Sequence, residues 1–370
     1  MTTSVPSTVV AAALGAGPGR PVEVLRADDH RVHDGDGQGD GVALVSGAAS
    51  VASGPSRAFT VVRKRLTRTR GNRGAWDAVD REVDAYTSGL LDDLPGIAAP
   101  RLLGVSEGPG GSVELWLERV IDEVGDWPLE RYALAARHLG RFNGAGLTGH
   151  RSQPPYGWLS RGWLSQWVEA TGPAVRRLAG LAGAPLVHQV FPPPVLDLVL
   201  DAWERRAGWL ATLEALPHGL AHQDAFRRNL VGSGGRTVAL DWAFVGPAPV
   251  GAETAPLVVA TLAFGGWPMD RWQELDDAVR AGYLEGLREA GWGGDAALVA
   301  IGHTVASVLR YPLGTVRLTL PYLLGEADHA HVERMLGVPF AEIVVRWAAM
   351  EQLGLHLAAE AARLLEARRG

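Results

Sequence analysis

The chain has 370 residues, 47% hydrophobic and 21% charged, a composition that supports a globular protein with a real core and roughly one to three domains. A formal net charge of −6 leaves no basic surplus for a nucleic-acid backbone or an anionic membrane, so neither is expected as a partner. The absence of cysteine excludes disulfides, thiolate metal sites and cysteine nucleophiles, and suits a reducing, cytoplasmic setting.

In chain order, the apolar run Val9–Leu14 has the texture of a signal-peptide core, but no Lys or Arg precedes it, and residues 1–21 read as a loosely ordered lead-in. Residues 28–58 are rich in Gly, Asp, Ser and Ala and read as turns and loops between short strands. From Phe59 to Leu66 the β-branched content predicts a strand, with Val62, Lys64 and Leu66 on one face and Arg63 and Arg65 on the other. Lys64 is the only lysine of the chain. An ammonium kept where every other basic residue is arginine marks a site that needs a compact point charge, unless it is simply a solvated residue.

A helix is expected over about 74–91, packing through Trp76, Val79, Val83, Tyr86 and Leu90, with Glu82 at the edge of that stripe and Asp77, Asp80, Arg81 and Asp84 away from it. Strands follow at Arg101–Ser106 and Ser112–Val120 around a glycine turn, completing a small lobe over 22–120. Over 121–370 helical periodicity dominates: Leu129–Gly144, Trp158–Thr171, Val195–Leu216, Asp270–Ala290, Ala296–Leu313 and Ala330–Arg368. The Pro192–Pro194 run reads as a boundary within this lobe, and the tryptophans Trp158, Trp163, Trp167 and Trp209 as packing residues. No stretch approaches the ~20 apolar residues of a membrane span, the longest candidate being Ala255–Gly266.

One hairpin interrupts the helices: His222-Gln-Asp224 and Asn229, a glycine-rich turn at 232–235, then a strand ending in Leu240-Asp241-Trp242. Folding about the turn would bring Asp224 and Asn229 towards Asp241, an oxygen-only set that suits a hard cation such as Mg²⁺. Asp224 and Asn229 also suit turn and cap positions.

The pattern His222-x-Asp224-x-x-x-x-Asn229 followed by Asp241 resembles the signature of the aminoglycoside phosphotransferase and choline kinase group, with Lys64 and Glu82 in the matching upstream places. The resemblance covers roughly residues 40–290. It implies an α+β, two-lobed protein-kinase-like fold and an ATP- and Mg²⁺-dependent transfer of phosphate to a hydroxyl of a small molecule. By the same resemblance Lys64 would grip the α- and β-phosphates, Glu82 would orient Lys64, and Glu118, ending Leu115–Glu118, would enter the adenine-binding hinge. Asp241 and Asn229 would be metal ligands, Asp224 the base, and His222 a brace for the loop.

The sequence departs from the family where Gln223 replaces a common glycine and where Arg227 and Arg228 are unusually basic; these arginines are either solvated or meet an anionic substrate. Asp34–Gly41 and Ser46–Gly54 compete as the phosphate-covering loop. Asp241-Trp242-Ala and the lack of an Ala-Pro-Glu segment argue against a protein acceptor. Glu253, Asp270, Asp276 and Asp277 either line a pocket for an amino-bearing ligand or form solvated faces. A sugar or amino-alcohol kinase and a catalytically silent nucleotide-binding protein are the competing readings.

Overall fold

The computed structural model describes residues 4–17, 20–34, 41–68, 78, 80–151, 154–181 and 183–368. The chain divides into two compact units, Met1–Leu94 with Ala98–Glu123 and Val231–Phe244, and Pro95–Ile97 with Val124–Leu230 and Val245–Gly370. Residues 231–244, expected in the larger lobe, thus group with the smaller one.

The first unit is built on an antiparallel five-stranded sheet of β1 (Val22–Asp34), β2 (Gly41–Val51), β3 (Arg57–Leu66), β4 (Leu102–Glu107) and β5 (Val113–Glu118), in the order β1-β2-β3-β5-β4. Two expectations are corrected here. Of residues 28–58, the described stretches 28–34 and 41–51 belong to long paired strands, because small residues such as Ala43, Ala49 and Gly47 let the sheet pack closely; a Cβ on Gly47 would meet the Arg26 carbonyl at 2.0 Å. The lead-in contains a helix, α1 (Ser7–Ala13), whose Val9 and Val10 are buried against Phe59, Val61 and Trp116. Strand alternation therefore gives Phe59 and Val61 to that core and turns Lys64 to the opposite face.

Of the expected helix over 74–91, the structure describes α2 (Arg81–Thr87); Trp76, Asp77 and Val79 lie outside the described residues. Arg81 and Asp80 are buried, not solvent-facing as the stripe suggested, Arg81 because its guanidinium reaches the Ala243 carbonyl. Of the two candidate phosphate-covering loops, Ser46–Gly54 is mostly the end of β2 with a tight turn, whereas Asp34–Gly41 is the β1–β2 connection, whose residues 35–40 lie outside the described residues.

The second unit is mainly helical, and it holds the paired strands His218–Ala221 and Gly246–Pro249. Helices Leu129–Leu147 and Trp272–Glu289 cross at close range because glycines meet backbone: a Cβ on Gly286 would fall 1.9 Å from the Arg137 carbonyl, and one on Gly140 2.2 Å from that of Tyr283. That approach lets Tyr283 donate to Asn143 Oδ1 at 2.7 Å, while Asn143 Nδ2 donates to the Leu220 carbonyl at 2.9 Å, bracing the strand that leads to His222. The expected helix over 330–368 is two helices, His329–Leu336 and Phe340–Ala367, because Gly337 ends the first at φ +73° and Pro339 precedes the second.

One helical stretch among the described residues, Ala296–Leu323, is long and apolar enough by length and composition to cross a membrane, contrary to the sequence reading; 67% of its apolar window is buried inside the protein, as in a core helix.

Glu351, within Phe340–Ala367, is 4% exposed, and its Oε2 has no hydrogen-bond partner. Burial pushes its carboxyl well above the ordinary value of 4.5. The folded state then holds this proton more tightly than the unfolded chain, so stability falls as pH rises above about 4.5. Glu351→Gln is expected to stabilise the protein by about 1–3 kcal/mol at pH 8 and by less at pH 5. Urea unfolding at both values checks it, and a gain that does not grow with pH refutes the assignment.

Candidate active site

In the first unit, β3 delivers Lys64 to two carboxylates. Its Nζ lies 2.5 Å from Glu82 Oε2 and 2.9 Å from Asp241 Oδ1. Burial alone would push the Lys64 ammonium down, but Asp241 and Glu82 more than reverse this and hold it well above its ordinary value. Burial also works against the Glu82 carboxylate, only 1% exposed, and the lysine is what offsets it.

The turn carrying Asp241 is clamped from the same helix. Trp242 N–H donates to Glu82 Oε1 at 3.3 Å, and Arg81 Nε donates to the Ala243 carbonyl at 2.8 Å. This is why Arg81 is buried. Asp241 sits at φ +59°, a left-handed conformation that costs a non-glycine residue energy and persists only where its surroundings hold it. The turn follows a hairpin, Leu230–Ser233 and Arg236–Ala239, closed by Gly234 and Gly235 with φ +55° and +73°, the pair of positive values a type I′ turn demands. Glu118 ends β5; its N–H donates to the Arg101 carbonyl at 3.0 Å and its Oε1 accepts from Arg101 N–H at 2.9 Å.

In the second unit, the loop 222–229 is organised around Asp224. Its Oδ2 accepts from Asn229 Nδ2 at 2.9 Å and its Oδ1 from Arg310 Nη2; the same Arg310 donates through Nη1 to the Gln223 carbonyl at 2.5 Å. Arg310 lies over the Trp163 ring at 4.5 Å, which fixes the plane of its fork. His222 is fully buried, and its Nδ1 accepts from Asp224 N–H at 3.2 Å, the bracing contact expected of it.

Beneath the loop, Glu253 takes the N–H groups of His222 at 2.8 Å and Gln223 at 3.0 Å. Burial pushes its carboxyl up to about 7, with those hydrogen bonds working in the other direction. Gln223 itself has φ +66°, a conformation glycine adopts without strain; here Trp163 Nε1 and the Glu253 and Arg310 contacts hold it in place.

Arg310 and Glu253 were not assigned these places by sequence, since they act across 86 and 31 positions with no periodic signal. The acidic residues do not form a common pocket. Glu253 is buried under the loop, Asp276 is 2% exposed between His303 and Arg280, and Asp277 is solvated.

Among the described residues no group of three or more His, Asp and Glu gathers to hold a metal. Asp241 belongs to the first unit, Asp224 and Asn229 to the second. Taken singly, each offers an oxygen donor of the kind Mg²⁺ accepts. Asn229 spends Nδ2 on Asp224 O and Oδ2, leaving its amide oxygen as the acceptor, and Asp241 adds a carboxylate that is 38% exposed.

This architecture is that of the kinase-like phosphotransferases of small molecules. Solved structures sharing the fold include an amicoumacin kinase, 15% identical with a TM-score of 0.55, covering 86% of this chain and 87% of its own. An aminoglycoside phosphotransferase from Alicyclobacillus acidocaldarius is 14% identical with a TM-score of 0.56, covering 99% and 98%. A microcompartment-associated aminopropanol kinase is 16% identical with a TM-score of 0.54, covering 96% and 99%. No curated protein matches the chain in sequence. The sequence pattern of the phosphotransferase enzyme family, APH, matches residues 88–298, more than half of the chain, and the protein belongs to that family. The matched segment contains Glu118, Asp224, Asn229 and Asp241, while Lys64 and Glu82 lie upstream of it.

Proposed function

We propose that the protein transfers the γ-phosphate of ATP, with Mg²⁺, to a hydroxyl of a small molecule. The observation that carries this reading is the only lysine of the chain, half-buried and held between two carboxylates, Glu82 at 2.5 Å and Asp241 at 2.9 Å. An ammonium so placed can exchange part of its carboxylate contact for nucleotide phosphate oxygens without leaving its position. The amicoumacin kinase, which shares the fold, was solved with AMP-PNP and Ca²⁺, in keeping with a nucleotide and a hard divalent cation.

In this reading Lys64 holds the α- and β-phosphates and Glu82 orients it. Glu118 marks the strand leading to the adenine, with its own N–H already given to Arg101. Asp241 and Asn229 are the metal ligands, and Mg²⁺, when bound, neutralises charge on the phosphate oxygens. Asp224 takes the proton of the attacking hydroxyl as that oxygen bonds to the γ-phosphorus and the bond to the ADP oxygen breaks. Arg310 and Asn229 each engage one Asp224 oxygen, so the carboxylate is oriented before substrate arrives.

Arg310 is a positioning residue. Arg310→Gln is expected to lower kcat at least tenfold and leave the KM for ATP within about twofold, and steady-state kinetics that show only a KM effect refute this role.

The function itself is tested by ATP consumption with Mg²⁺ across aminoglycosides, macrolides, amino alcohols, sugars and hydroxy acids. Acceptor-dependent turnover supports it. Nucleotide-dependent thermal stabilisation without turnover on any acceptor would favour a binding protein instead.

A further inference from the structure

Three residues after Asp224, at Arg227, the loop reaches the wall of a cavity of about 730 Å³ that lies wholly in the second unit. Its walls carry the arginines Arg227, Arg228 and Arg346 against a single carboxylate, Asp126. Arg228 and Arg346 have no carboxylate within ion-pair distance among the described residues. Arg228 instead stacks at 4.3 Å on Phe264 and donates to the Met335 carbonyl at 3.1 Å. Burial and the neighbouring Arg346 cation both push the Arg228 guanidinium down. Gly265 keeps Arg346 at the wall, since a Cβ there would lie 3.0 Å from Arg346 Nη1.

Beside them the lining carries three aromatic rings, with Leu262, Pro268 and Met269. Trp127 and Tyr132 meet edge to face at 5.2 Å, Tyr132 and Trp267 at 5.8 Å, and Arg227 lies over Trp127 at 4.5 Å. Guanidinium groups without carboxylate partners beside aromatic rings recognise an oxyanion carried on a planar or apolar body. They oppose a polycation, whose charges would add to those already there.

We propose that this cavity is the acceptor subsite and that the acceptor is an anionic hydroxyl compound, bearing a carboxylate or a phosphate ester. The proposal rests on the phosphotransferase reading. Arg228 and Arg346 bind the oxyanion, the aromatic wall holds the body of the molecule, and the hydroxyl is presented towards Asp224, four residues before Arg228 in the same loop.

Three compounds that share one ring and one primary alcohol test it: 4-(hydroxymethyl)benzoate, 4-(hydroxymethyl)phenyl phosphate and 4-(hydroxymethyl)benzylamine. Their affinities are measured by calorimetry with and without AMP-PNP and Mg²⁺, and their phosphorylation by ATP consumption. At least one anion is expected to bind and to be phosphorylated, the amine to do neither, and the benzoate and phosphate arms tell which oxyanion fits. Arg346→Gln and Arg228→Gln are each expected to weaken anion binding at least tenfold. Because Arg346 lies outside the loop, its variant keeps the test decisive where the loop variant fails to fold.

Amine binding equal to that of the anions, anion binding indifferent to both substitutions, or no anion binding at all would overturn the proposal. ATP turnover on cationic hydroxyl compounds alone would leave the kinase reading standing and remove the anionic acceptor. Arginine-dependent anion binding without nucleotide binding or turnover would remove the kinase reading, and with it the assignment of the cavity as an acceptor subsite.

Discussion

Asp224→Asn is expected to lower turnover at least ~10²-fold and to leave nucleotide affinity nearly unchanged. The amide keeps the size of the carboxylate but cannot take the hydroxyl proton. It also meets donors on both sides, Arg310 Nη2 at one oxygen position and Asn229 Nδ2 at the other, so its own NH₂ must face one of them. Loss of the base and a disturbed orientation therefore act together, and both appear in kcat. Rapid-quench measurement of phosphoryl transfer, with nucleotide affinity by calorimetry, separates them from a binding defect. Unchanged turnover would remove Asp224 as the base.

Lys64→Met is expected to abolish at least ~10²-fold of the activity and also to destabilise the first unit, by about 3 kcal/mol. The stability loss comes from Glu82, which is 1% exposed and would keep a carboxylate with its cation gone. Adding Glu82→Gln to Lys64→Met should recover much of the stability, because the buried charge is then absent, and none of the activity. Urea unfolding and ATP consumption on the single and double variants give the answer. A double variant as unstable as the single one would show that the Lys64–Glu82 pair is not what holds this part of the fold.

Strand alternation put Lys64 on a sheltered face, the edge of a helical stripe singled out Glu82, and short spacing set Asp224 and Asn229 in one loop, whereas the roles of these residues and of Asp241 came from the family resemblance. Local rules say nothing of groups brought in by tertiary packing. Arg310 reaches Asp224 from a turn of π-helix at Leu309–Leu313, and Glu253 reaches His222 from beyond the next strand, so neither carries a periodic mark. Arg81 was misread for the same reason: its helix position pointed outward, whereas the Ala243 carbonyl and the Phe244 ring meet it from far along the chain. The Gly-, Ser- and Ala-rich residues 41–51 were misread because composition suggested turns, whereas small side chains here serve close sheet packing. Gln223 was noted as unusual without its cause, a positive φ that only the folded loop displays.

The grouping of residues 231–244 with the first unit sets an order on how the chain can mature during synthesis. Arg81 and Ala243 are 162 positions apart, and Glu82 and Trp242 are 160 apart. At roughly 5–20 residues per second, Arg81 and Glu82 would leave the ribosome about 8–32 s before the turn they clamp. For that interval Arg81 and Glu82 lack their carbonyl and N–H partners, while the helices of the other unit up to Glu214 are already emerging. The nascent protein cannot finish one unit before starting the other, and a fragment ending at residue 123 would hold Lys64 and Glu82 without Asp241.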